Sequence, residues 1–95
     1  MITEKMIADA KAQISAYWND DVIRECEKHE PLNMRSKEFV SHCTSCGGDL
    51  GGMLLTGLKE LRPTVWDIIP DYMGTQAWGC ICATLILCGV DTSED

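Results

Sequence analysis

Apolar residues recur at steps of three and four along most of the chain, and nowhere do they alternate with polar ones in the way a half-buried strand requires. The first stripe is Ile2, Met6, Ile7, Ala10, Ile14, Tyr17 and Trp18, with Lys5, Asp9, Lys11 and Gln13 opposite. Thr3 stands where a side-chain oxygen can accept the free N–H groups of a first helical turn. Asn19 or Asp20 can cap a second short helix with Val22, Ile23 and Cys26 inward, and Pro31 ends it. Ser36 is placed to cap a third helix with Phe39, Val40, Cys43 and Cys46 on its inner side, ended or kinked by Gly47-Gly48. Asp49 is placed to cap a fourth, running to Leu61, whose buried face is Leu50, Met53, Leu54, Leu58 and Leu61. Pro63 suits the first turn of a short helix through Ile69. A turn over 70–74 follows, and Thr75 is placed to cap a last helix that Gly89 ends.

The last helix is apolar on nearly every side, with Ala77, Trp78, Cys80, Ile81, Cys82, Leu85, Ile86, Leu87 and Cys88. Such a helix is either wrapped by others or forms an oligomer interface. The expected fold is therefore all-α: one small domain over 1–95, a bundle of about five short helices around an apolar C-terminal helix, with 91–95 a flexible acidic tail. Trp78 is expected in the core. Trp18, beside Asn19, Asp20 and Asp21, is expected to be partly exposed. The longest apolar run, Ala77 to Val90, falls short of the roughly 20 residues that span a bilayer. The first residues open an amphipathic helix rather than a signal peptide, so a cytoplasmic location is expected.

Charge narrows the choice of partner. The chain has 8 basic and 15 acidic residues, a net charge of −7. Every Lys and Arg lies at or before Arg62, whereas Asp67, Asp71, Asp91, Glu94 and Asp95 follow it. Nucleic-acid binding takes most of its affinity from cations on phosphates, and this chain has no basic patch to supply them. An acidic surface suits a basic protein partner. The residues expected to meet one are Trp18, Asp20, Asp21, Asp67 and Asp71, with a homodimer as a further possibility for so short a chain.

The densest chemical signal is His42-Cys43-Thr44-Ser45-Cys46-Gly47-Gly48-Asp49-Leu50-Gly51-Gly52. Zinc needs four ligands, and Cys43 and Cys46 give two; Cys26 and His29, three apart on one helix face, are the best second pair. The competing reading is that these cysteines pack as small core residues. Thiol catalysis fits poorly, because the pair falls near a helix end, where no N-terminal dipole stabilises a thiolate. Gly47, Gly48, Gly51 and Gly52 can cradle an anion at a helix start, yet the Asp49 carboxylate competes for the same N–H groups. Close helix approach through Gly48 and Gly52 accounts for the same residues. Neither a metal nor a cofactor is expected, nor an enzyme; a zinc or small-ligand (nucleotide) module is the alternative.

From His42 onward the chain resembles a group of short uncharacterised proteins from prophages of Gram-positive bacteria. The residues that carry this are the His42–Gly48 segment, Gly52-Met53-Leu54-Leu55-Thr56-Gly57, Pro63 with Val65-Trp66 and Ile69-Pro70, Met73-Gly74, and Leu87 with Gly89-Val90-Asp91-Thr92. The resemblance implies a phage-encoded accessory product in a bacterial cell. Small phage proteins of that kind often bind and inhibit a host protein, defence nucleases among them. Protein binding with inhibition or regulation of the partner is thus the expected function.

Overall fold

The computed structural model describes residues 1–42 and 50–92, which contain six α-helices: α1 (Glu4–Tyr17), α2 (Asp20–Glu27), α3 (Ser36–His42), α4 (Leu50–Leu61), α5 (Pro63–Asp67) and α6 (Thr75–Leu87). Cys43, Cys46, Gly47, Gly48, Asp49 and the last three residues lie outside this description. The fold is all-α, and the described residues contain no strand. One isolated parallel bridge joins Arg35 to Asp91.

Local chemistry sets most boundaries where the sequence puts them. The Met6 N–H donates to Thr3 Oγ1 at 3.2 Å, which caps α1. Asn19, rather than Asp20, caps α2, its Oδ1 accepting from the Asp21 N–H at 3.0 Å. Asp20 and Asp21 then sit in the first turn, where the helix dipole favours negative charge. Pro63 opens α5, which stops at Asp67, short of the expected Ile69.

The start of α6 differs from the expectation. Its N-cap is Gly74 at φ 98°, and no side chain caps the helix, so Thr75 is the first helical residue. Its end is as expected and better defined. The Gly89 N–H donates to the Ile86 carbonyl and the Val90 N–H to that of Leu85, both at 2.9 Å, which is a Schellman closure. Gly89 has φ 89°, and a Cβ there would lie 2.6 Å from Pro31 Cβ. Glycine therefore meets two demands at once, a left-handed backbone and the close passage of residues 31–33.

The core is built on α6 packed along α1, with α2 also against α6 and α3 against α4. Ile14, Val22, Phe39, Leu58, Val65, Ile81, Leu85 and Val90 have no exposed surface. The α1–α6 contact is close because its residues are small. Ala10 and Ala83 are buried there, and a Cβ on Gly79 would lie 2.9 Å from Gln13 Nε2. Close approach thus occurs at Gly79. Gly51 and Gly52 lie in the first turn of α4, half-buried, and the Gly52 carbonyl accepts from Thr56 Oγ1 at 2.9 Å.

Four positions depart from the reading of the pattern. Trp78 is 40% exposed, because α6 has neighbours on only part of its circumference. Ile7 and Tyr17 of the first stripe are likewise exposed, and of that stripe α1 buries Ala10 and Ile14. Asp91, which the sequence assigns to the tail, is buried: its N–H donates to the Met34 carbonyl at 3.0 Å and its carboxylate pairs with the Met1 amino group.

Candidate functional site

The segments that carry the acidic residues named from the sequence meet at the junctions between helices. The chain leaves α1 at Tyr17-Trp18 and re-enters helix at Asp20; it leaves α5 at Asp67 and re-enters at Thr75. These two connections lie side by side. Tyr17, Trp18, Pro70, Asp71, Met73 and Gln76 line one groove of about 190 Å³. A second groove, of about 310 Å³, is lined by Asn19, Asp21, Arg24, Glu25, Lys28 and Ile68.

The turn after α5 is held in shape by its own side chains. Asp71 Oδ1 accepts from the Met73 N–H at 2.8 Å, a turn that needs no neighbour. Tyr72 lies against Trp66, with ring centroids 5.0 Å apart and planes at 38°. Pro70 adds its fixed φ. Together these present Asp71 and Met73 to solvent, Met73 being 74% exposed.

The charges here divide into engaged and free. Asp21 forms an ion pair with Arg24, and Lys28 reaches Glu25 at 3.1 Å. Hydrogen bonds from Lys28 and then Thr64 hold the Glu25 carboxyl below its usual range. Asp20 accepts from Ser15 Oγ at 2.7 Å. Among the described residues no cation pairs with Asp20, Asp67 or Asp71. The charges that line the groove beside α2 therefore offset one another, Asp21 against Arg24 and Glu25 against Lys28, whereas Asp71 in the first groove has no such pairing among the described residues.

Of the five residues named for partner binding, the structure brings Trp18 and Asp71 into one groove. Asp21 lines the adjoining groove together with Ile68, the neighbour of Asp67. All four acids are exposed, and Trp18 is half-buried against the core. Sequence reasoning missed Tyr17, Ile68, Tyr72 and Met73, which supply the exposed apolar surface at 51%, 37%, 49% and 74%. The available signal was that bulky apolar residues flank turn residues there, where a helix cannot cover them.

Of the candidate zinc ligands, Cys26 and His29 lie among the described residues. Cys26 is buried in the core. The His29 ring lies 3.0 Å from Thr64 Oγ1 and 3.4 Å from Glu25 Oε1, which ties α2 to α5. Cys43, Cys46, Gly47 and Gly48 are outside the described residues. Within those residues no group of three His, Cys, Asp or Glu could hold a metal ion. A further cavity of about 540 Å³ opens beside Met1, Asn33, Met34, Arg35, Gly89 and Asp91, and nothing in the sequence pattern announced it. No described helix is long and apolar enough to cross a membrane.

No family model, curated protein or solved structure matches the chain.

Proposed function

We propose that the chain is a phage-encoded accessory protein that binds a host or phage protein with a basic surface and inhibits or regulates it, doing no chemistry of its own. A defence nuclease is one such partner, since a nuclease that holds phosphate is basic where it acts. The observation that carries this reading is the groove at Tyr17, Trp18 and Met73, lined also by Asp71, with which no cation pairs among the described residues. Exposed aromatic and thioether groups beside free charge give a partner both an anchor and a steering field. A chain of net charge −7 repels nucleic acid, so contact with a nuclease would be direct rather than through its substrate.

The test is a complex captured from a bacterial host, followed by two exposed substitutions in the groove. Asp71→Asn and Met73→Ser should each weaken the complex while leaving the helical spectrum unchanged. If both variants bind as the parent chain does, the groove is not the contact.

A further inference from the structure

Size and charge narrow what the groove between the α1–α2 and α5–α6 connections can hold. Its volume is about 190 Å³. Pockets that enclose a drug-sized molecule run roughly 300–1,000 Å³, so this one has room for a single side chain rather than a nucleotide. Among the described residues that line it, only Asp71 is charged. Gln76 adds an amide, and Tyr17 and Trp18 add aromatic rings. Tyr17 is 51% exposed and has surface to offer, whereas Trp18 is fixed by packing against the core. An anion would meet the Asp71 carboxylate and no cation.

The carboxylate is oriented in advance. Asp71 Oδ1 accepts from the Met73 N–H at 2.8 Å, which sets its direction, and a carboxylate has lone pairs for several donors. The adjoining groove is the contrast. Its carboxylates, Asp21 and Glu25, hold Arg24 and Lys28, and those cations line the same groove. A cation arriving there has to displace one in place; a cation arriving at Asp71 does not. Cations are also drawn to the faces of aromatic rings. A planar guanidinium stacks on a ring and presents parallel N–H donors to a carboxylate, whereas an ammonium is a compact, strongly hydrated point charge.

Resting on the reading of this groove as the partner's contact, we propose that its occupant is one arginine side chain of that partner. The guanidinium lies between the Asp71 carboxylate and the aromatic lining, with the Gln76 carbonyl oxygen as a further acceptor. The methylenes of the arginine run along Met73 and the buried Ala77, as long cationic side chains cover apolar surface while their heads stay polar. The net charge of −7 steers any basic chain toward the molecule. The groove then adds a choice among basic residues, arginine before lysine.

The probe is the peptide acetyl-Gly-Arg-Gly-amide, titrated into the folded, isotope-labelled chain and followed by NMR. The same peptide with citrulline keeps the shape and loses the charge, and the same peptide with lysine keeps the charge and loses the plane. The arginine peptide should give saturable shifts at Tyr17, Trp18, Asp71 and Met73, the lysine peptide should bind more weakly, and the citrulline peptide should give no saturable shift. Asp71→Asn keeps the Oδ1 that accepts from Met73 and removes only the charge; it should weaken arginine binding about tenfold. Tyr17→Leu, which keeps an apolar side chain, should weaken it about two- to fivefold. Equal binding of the citrulline or lysine peptide would overturn the proposal, as would shifts centred on Asp21 and Arg24 or spread over the whole acidic surface. The complex captured from a host separates this proposal from the reading beneath it. A complex weakened by Asp71→Asn and Met73→Ser, beside an arginine peptide that leaves the groove unshifted, keeps the groove as the contact and overturns the arginine. An arginine peptide that binds here, beside a complex indifferent to both substitutions, overturns the reading beneath instead.

Discussion

Three glycines separate two costs that usually come together. Gly74 has φ 98° and open space around a hypothetical Cβ. Gly79 is helical, and its Cβ would meet the end of the flexible Gln13 side chain at 2.9 Å. Gly89 has φ 89°, and its Cβ would meet Pro31 Cβ at 2.6 Å and the Leu32 and Asn33 nitrogens at 3.0 and 3.1 Å. Left-handed backbone costs an L-residue about 1–2 kcal/mol. Overpacking against atoms that cannot rotate away costs about 1–3 kcal/mol more. Gly89→Ala should therefore destabilise by about 2–5 kcal/mol, a large part of the ~5–15 kcal/mol that holds a domain together. For a chain of this size that is a fall in Tm of at least about 8 °C. Gly74→Ala should cost the backbone term alone, about 1–2 kcal/mol. Gly79→Ala gains up to ~1 kcal/mol of helix propensity against displacement of one amide, and should come out near zero. Thermal and urea unfolding of the three variants, followed by circular dichroism, reads the series. Gly89→Ala no worse than Gly74→Ala would refute the packing of residues 31–33 against the end of α6.

Phe39 is the fully buried anchor of α3, so Phe39→Ala should cost about 3–5 kcal/mol in urea unfolding, and a loss well below that would mean α3 is not docked as described. Hydrogen bonds from Lys28 and Thr64 hold the Glu25 carboxyl below its ordinary value, so its contribution is fully present above that value and is lost as pH falls through the lower folded one. Glu25→Gln should flatten the acid side of the stability profile, and an unchanged profile would discount those bonds. Purified protein should carry no stoichiometric metal; about one zinc per chain, lost in Cys43→Ser and Cys46→Ser, would promote the Cys26, His29, Cys43 and Cys46 site instead.

Helix order and several caps were legible because they depend on neighbours in sequence: Thr3, Asn19, Pro63 and Gly89 act within one turn. Burial was less legible, because it depends on which helices meet. The all-apolar pattern of α6 placed Trp78 inside, yet α6 lies mainly along α1 and leaves that ring 40% exposed. The acids at 20–21 and 67–71 were named from charge and turn chemistry. Their assembly around Tyr17 and Met73 required the α1–α2 and α5–α6 connections to lie side by side, a relation with no local sequence signature. The same holds for Asp91, whose burial depends on the passage of residues 31–35.

The central claim is that the exposed carboxylates of Asp67 and Asp71 draw a basic partner onto an apolar groove. The most direct measurement is the association rate with the captured partner across a salt series, for the parent chain and for Asp67→Asn with Asp71→Asn. Steering by exposed charge is screened within about 10 Å at 0.1 M salt. The account predicts a rate that falls steeply with salt in the parent chain, a slower and flatter response in the double variant, and dissociation rates that change less. A rate indifferent both to salt and to the two substitutions would contradict it.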